Sequence, residues 1–247
     1  LCVTTLEGHE NCVMAVTELI DGRLASCDIN GKVKVWDLSK PANEQCVVAC
    51  KIDENDAASS LAPLADGRLA AGTYYGAIEV RDLSHTDNHS VTTLKGHDNL
   101  VLAVTSLFDG RLASGSIDKK IKLWDLSKSA ADQCVATLEG HTAPVVSLTQ
   151  LTGGRLASGS RDHTIKVWDL SKAEGQQCVA TLEGHRDGVR SVTSLFDGRL
   201  ASGSDDKTIK VWDLSKAESH QCVATLKGHL RCVISVTSLF DGRLASG

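Results

Sequence analysis

Serine, histidine and aspartate recur together along this chain, and that trio can do nucleophilic chemistry. A histidine beside a serine hydroxyl can take its proton, while an aspartate orients the ring. Gly-His pairs stand at Gly8-His9, Gly96-His97, Gly140-His141, Gly184-His185 and Gly228-His229. After three of them come the stretch GRLASGS and then an aspartate. Repetition argues against catalysis here, because a catalytic site is made once and this trio is made at least three times. Other chemistries lack their parts. The sequence has no Gly-x-x-x-x-Gly-Lys-Ser/Thr loop to cradle nucleotide phosphates. His85 and His89 share one stretch but have no evident third partner for a metal. Asp53-Glu54-Asn55-Asp56 is acidic without calcium-loop spacing. No cofactor, no metal and no enzymatic activity are expected.

The elements that hold these residues follow from an internal period. From Gly96 onward the Gly-His pairs lie 44 residues apart, and the gap before them is 88. One copy is therefore hidden, with Ile52-Asp53 where Gly-His belongs. Trp-Asp pairs keep the same step at Trp36-Asp37, Trp124-Asp125, Trp168-Asp169 and Trp212-Asp213, and the hidden copy reads Arg81-Asp82. The repeats span about 8–51, 52–95, 96–139, 140–183 and 184–227, with a partial sixth at 228–247. Each holds short runs rich in Val, Ile and Thr between turn residues. In the fourth copy these are 145–151, 155–160, 164–168 and 178–182. Such runs read as antiparallel strands, and no stretch carries a helical period over ten residues. Four strands in a repeat of this length make one blade of a β-propeller. Residues are 42% hydrophobic but only 4% aromatic, so the core must be aliphatic and small.

Gly-His, GRLASGS, Asp and IKVWDL, in that order and in register, resemble the WD-repeat family over nearly the whole chain. The resemblance implies an all-β propeller of four-stranded antiparallel blades, six visible here and the last incomplete, forming a single domain over 1–247. It also implies a hydrogen-bonded set in each blade. These sets are His97, Ser114, Asp118 and Trp124; His141, Ser158, Asp162 and Trp168; and His185, Ser202, Asp206 and Trp212. The first copy has His9, Ser26 and Trp36 but Asn30 in the aspartate position, which puts its set in doubt. The second has Asp53, Ala71, Tyr75 and Arg81 at the four places and is expected to be the least regular blade. Family strand order runs a to d outward from the axis. Residues 1–7 then supply an outer strand to the closing blade, whose c strand is missing. Either the chain is an excerpt of a longer propeller or that strand comes from elsewhere, including another copy through self-association.

The repeats differ from one another chiefly after Gly-His, one residue into strand a, and just before the turn aspartate. In the family's topology all three places map to the face where the d–a and b–c loops emerge. The residues there are Met14, Ile29, Tyr74, Leu102, Ile117, Val146, Arg161, Arg186, Arg190, Asp205, Arg231 and Ile234. A constant scaffold with changeable loops is how recognition surfaces are built. The expected partner is a protein or peptide segment with an apolar anchor and an acidic or phosphorylated stretch. The alternative is that the arginines pair with Asp187, Asp205 and their neighbours. A net charge of −5 argues against a nucleic-acid or membrane-surface partner. Cys46, Cys134, Cys178 and Cys222 fall at one place in successive repeats and are expected to be buried thiols in a reducing, cytoplasmic setting. Asn88-His89-Ser90 matches a glycosylation sequon by chance.

Overall fold

The computed structural model describes residues 4–52, 56–83, 92–217 and 220–247. It is all-β apart from a 3-10 turn at Ala42–Glu44. Six sheets follow one another along the chain, and each of the first five has four antiparallel strands in simple order. The first holds β1 (Val13–Glu18), β2 (Leu24–Asp28), β3 (Lys32–Trp36) and β4 (Cys46–Lys51). The second holds β5 (Ala58–Pro63), β6 (Leu69–Thr73), β7 (Ala77–Arg81) and β8 (Thr92–Lys95). The third holds β9 (Val101–Ser106), β10 (Leu112–Ser116), β11 (Ile121–Trp124) and β12 (Cys134–Leu138). The fourth holds β13 (Val145–Leu151), β14 (Arg155–Ser160), β15 (Ile165–Asp169) and β16 (Cys178–Leu182). The fifth holds β17 (Val189–Ser194), β18 (Leu200–Ser204), β19 (Ile209–Trp212) and β20 (Cys222–Leu226). The sixth has only β21 (Val236–Ser238) and β22 (Leu244–Ser246). These are blades, with strands a to d in chain order, and the a strands of successive blades pack side by side.

The second blade is more regular than its sequence suggests. It keeps four strands and the same bulge near the start of strand a that the other complete blades show. Arg81, in the tryptophan position, is buried and donates to Glu79, also buried, at 3.0 Å. Glu79 stands where the other complete blades carry Lys34, Lys122, Lys166 and Lys210. The cation is thus neutralised within its own strand, which a buried charge requires. Ala71 is buried and Tyr75 is exposed; Asp53, like His85, His89 and the sequon, lies outside the described residues.

Blades bury their apolar area against each other. Gly159 in β14 faces Val189 of the next blade so closely that a Cβ would stand 2.9 Å from Val189 Cγ1. Gly115 and Gly203 stand in the same relation to Val145 and Val233. The first blade solves this contact with other residues. Cys27 replaces the glycine and packs, fully buried, in one cluster with Ala58, which replaces the valine. Burial pushes the Cys27 thiol up to about 12.

Two expectations fail. Cys46, Cys134, Cys178 and Cys222 are exposed, because they open the outermost strand; of the residues in that strand, the leucine that closes it at 138 and 182 is the buried one. Residues 4–7, expected in an outer strand, form none, while the sixth sheet holds two strands and is incomplete as expected. The first valines of the first blade's strand a are more exposed than their counterparts. Val13 is 48% and Val16 62% exposed, where Val101 and Val104 of the third blade are 0% and 8%.

The facing pair of Gly159 and Val189 is directly testable. Gly159→Ala should destabilise the chain by about 1–3 kcal/mol through overpacking. Combined with Val189→Ala, the loss in urea unfolding should fall short of the sum of the single losses by at least ~0.5 kcal/mol. Strict additivity would show that the two positions do not share one contact.

Candidate interaction face and the hydrogen-bonded sets beneath it

The four expected side chains meet in each of blades three to five. Trp124 Nε1 donates to Ser114 Oγ at 2.7 Å, His97 Nε2 lies 2.7 Å from the same oxygen, and His97 Nδ1 lies 2.7 Å from Asp118 Oδ2. Blade four repeats this through Trp168, Ser158, His141 and Asp162 at 2.8, 2.7 and 2.7 Å. Blade five does so through Trp212, Ser202, His185 and Asp206 at 2.8, 2.7 and 2.8 Å. Chemistry fixes the direction of every bond. An ionised carboxylate only accepts, so the imidazole donates from Nδ1 and accepts at Nε2. The serine hydroxyl must then donate to Nε2 and accept from the indole.

Charge states agree with that pattern. Burial pushes the Asp118 carboxyl up, but the Lys120 backbone N–H and His97 more than offset it and hold it below the usual range. Burial holds His97 and His185 below the usual histidine value despite the adjacent carboxylates. Aspartates are ionised and these histidines neutral at neutral pH.

The geometry is that of a serine-histidine-aspartate triad, but it cannot attack a substrate. Ser114, Ser158 and Ser202 have no exposed surface, and an indole N–H occupies each hydroxyl oxygen. Buried polar groups of this kind must be paired, and here they pair with one another.

The aspartate also ties two loops together. Asp162 Oδ2 accepts from the Thr142 backbone after Gly-His, while Oδ1 accepts from the Thr164 backbone and hydroxyl in the b–c turn. A backbone bond between the same loops runs from Ile29 to Cys12, Tyr74 to Ala57, Ile117 to Leu100, Arg161 to Pro144 and Asp205 to Gly188, at 2.9–3.1 Å. The d–a loop and b–c turn of each complete blade therefore rise together as one fixed corner.

The first blade completes its set by a route the sequence reading missed. Asp28, not Asn30, meets His9 Nδ1 at 2.8 Å, while His9 Nε2 and Trp36 Nε1 both lie 2.7 Å from Ser26 Oγ. Asp28 stands where blades three to five have the second serine of their SGS stretch. From there its Oδ1 accepts the backbone N–H of Asn30 and Lys32. A carboxylate two residues early thus reaches the same imidazole. The signal was an aspartate on the same strand and four residues before a lysine amide it could cap.

This constellation, repeated blade by blade, has a known owner. A family model described as WD domain, G-beta repeat matches residues 1–37, 88–125, 132–169 and 176–213, more than half the chain. The chain belongs to the WD-repeat family. A search of curated proteins returned no match. WD repeats generally mediate protein–protein interaction or scaffolding and are typically non-enzymatic. Among the described residues no helix is long and apolar enough to cross a membrane.

The variable residues of this WD-repeat chain fall into two groups. Met14, Ile29 and Ile234 are exposed, as are Arg161, Arg186 and Arg231; Tyr74, Leu102, Ile117, Val146, Arg190 and Asp205 are half-buried. Arg190 is already engaged, its Nε standing 2.9 and 2.8 Å from the two Asp205 oxygens. Burial pushes the Asp205 carboxyl up, yet Arg190 and Cys232 hold it below the usual range. Arg161 packs on Gly188 beside the same carboxylate. Among the described residues no ion pair forms at Arg161, Arg186 or Arg231.

Sequence reasoning also missed the opposite face. Phe108, Phe196 and Phe240 are 85%, 69% and 94% exposed at the tips of the a–b turns, with Ile20 at the equivalent place in the first blade. A groove of about 1010 Å³ beside Phe108 is lined by Ile20, Leu64, Leu107 and Leu126. The signal was an apolar residue directly before Asp-Gly, a doublet that turns the chain and leaves its neighbour outside.

Two measurements check the sets. Histidine values depressed from the ordinary 6.5 make stability complete above that pH and lost as pH falls through the lower folded value. The carboxylates, depressed from 3.8, add a second loss below that pH. The melting temperature should hold from pH 8 to 7, fall below 6.5, and fall again below 4; a rise between pH 7 and 5 would contradict the neutral histidines. Asp28→Ala should cost ~1–3 kcal/mol, and Asn30→Ala under ~0.5 kcal/mol. The reverse order would return the role to Asn30.

Proposed function

We propose that this chain is an interaction scaffold that docks a protein or peptide segment on the face made by the d–a and b–c loops. The observation that supports it most is the set of exposed guanidinium groups at Arg161, Arg186 and Arg231, on the loops of blades four to six. The Arg190–Asp205 pair stiffens the floor between them. Guanidinium groups held on fixed loops match carboxylate and phosphate oxygens, so the favoured segment is acidic or phosphorylated. Met14, Ile29 and Ile234 offer exposed apolar contacts on the same face for an anchoring side chain. Each loop pair is bonded at its base, so binding costs little loop ordering. A reducing, cytoplasmic setting suits the six exposed free thiols among the described residues, which an oxidising one would cross-link.

The test is a screen of acidic and phosphorylated peptides followed by charge reversal. Arg161→Glu with Arg231→Glu should weaken a peptide found in the screen at least tenfold, about 1.4 kcal/mol, and should flatten its salt dependence. Arg190→Glu is a poor probe because it also breaks the pair with Asp205. Affinity unchanged in the double variant, by calorimetry, would remove the arginines from the site.

A further inference from the structure

The face opposite the arginines is uneven, and one turn makes it so. Four a–b turns carry a large apolar residue at the tip: Ile20, Phe108, Phe196 and Phe240. The second blade has Ala65 there and the fourth Thr152. Phe196 has a ring beside it, with the Phe240 centroid 6.1 Å away. Phe108 falls between Ala65 and Thr152 in the series, and no ring contacts it among the described residues. The small side chain of Ala65 leaves space between its two larger neighbours. Ile20, Ala65 and Phe108 all line the groove of about 1010 Å³ found there, with Leu64 and Leu126.

The Phe108 side of the groove is fixed from the next blade. Gln150 stands where blades three and five carry Ser106 and Ser194, and its Oε1 accepts the Phe108 backbone N–H at 2.7 Å. That turn is held before anything binds, which lowers the ordering cost of docking.

Charge decides the occupant. Asp66, Asp109 and Asp125 line the groove together with Arg68 and Arg111. Each arginine is engaged by an aspartate: Arg68 Nε stands 2.8 Å from Asp66 Oδ2, and Arg111 Nε 2.8 Å from Asp109 Oδ2. Those arginine side chains are 26% and 28% exposed, their aspartates 52% and 48%, so the carboxylates are the groups that solvent meets. Asp125 has no cation bonded to it. Its Oδ1 accepts from the Ser127 backbone and hydroxyl at 2.9 and 2.6 Å, and no described residue donates to its Oδ2. The Ser127 bonds hold this carboxyl below the usual range, so it is ionised at neutral pH. Lys128, next along the loop, is exposed and does not line the groove. Three carboxylates against two guanidinium groups leave one negative charge unmatched.

We propose that this groove binds a segment of a partner protein in which a bulky apolar side chain stands next to a lysine or arginine. The apolar side chain fills the space beside Ala65, against Phe108 and Ile20, and the cation meets Asp125 Oδ2. An exposed apolar patch edged by charge is a docking surface, and complementary charge selects what docks. A second copy of this chain brings a net charge of −5 to an acidic rim, so a basic partner is the better occupant. None of this depends on the arginine face.

The probe is a set of short fluorescein-labelled peptides, each with a central Leu, Phe or Trp flanked by Lys, Ser or Glu, titrated with the full chain and followed by anisotropy. Saturable one-to-one binding of a lysine-flanked peptide is expected, at least ~tenfold tighter than its glutamate-flanked counterpart. Ala65→Phe gives the exposed second turn the residue of the third and fills the groove; it should weaken that binding at least ~tenfold, as should Phe108→Ser. Asp125→Asn should weaken the lysine-flanked peptide and leave the serine-flanked one as before. Chains with Arg161→Glu and Arg231→Glu should bind the lysine-flanked peptide unchanged, which separates the two faces. No binding of any lysine-flanked peptide, equal binding of the glutamate-flanked ones, or binding that survives both Ala65→Phe and Phe108→Ser would overturn the proposal. So would a dimer in light scattering that Ala65→Phe dissociates, since a second copy would then cover the groove.

Discussion

The serine hydroxyl in strand b accepts a hydrogen bond from the indole and donates one to the imidazole, and the direction of those two bonds governs the blade above them. A neutral imidazole can then donate only from its other nitrogen, and in these blades an ionised aspartate, which only accepts, receives that bond. The aspartate still has lone pairs to satisfy, and it satisfies them with backbone amides of two different loops. A chain of bonds begun in a sealed interior thereby ends as the fixed corner of a surface. Removing any link leaves buried polar groups unpaired, which is costlier than never having had them.

That arrangement separates stability from recognition. The bonded set lies below the loops and uses no side chain that points outward from them. Loop residues can therefore change from Glu10-Asn11 to Thr142-Ala143 to Arg186-Asp187 without disturbing the set. The second blade marks how far the scaffold itself can vary. It replaces the tryptophan by Arg81, pairs that charge with Glu79, and still forms four strands in the common register.

Much of this was legible in the residues because a repeated blade writes its own alignment. The 44-residue step located the strands, and the fourth blade's strands fall within a residue of where its apolar runs place them. The sets of blades three to five were readable for the same reason. What escaped was geometry that a period cannot carry. Asp28 acts from a different alignment column because a bent strand end brings it to the same imidazole. The cysteines of the outer strands look apolar by type, but the rim of a blade has nothing beyond it to cover them. The sequence left open whether Arg190 is free or paired, and the turn brings Asp205 to it. The turn phenylalanines went unread, and their exposure follows from the Asp-Gly tips that carry them. On the arginine face both readings were on the page, and they divide by residue: Arg190 pairs with Asp205, while Arg161, Arg186 and Arg231 are exposed.

The exchange of Gly and Val for Cys27 and Ala58 has a meaning for how such a chain could have grown. Every interblade contact is a lock and its key, and most here are cut alike: a glycine receives a valine. The first contact is cut differently. A copy of the first blade placed before any valine-bearing neighbour would drive a thiol into a branched side chain, whereas a copy carrying the second blade with it would fit. Duplication by single blades is thus open to the third, fourth and fifth, and their near-identity is what such copying leaves behind. The first blade can be copied only with the second behind it, so part of the order of blades is written into the joints between them.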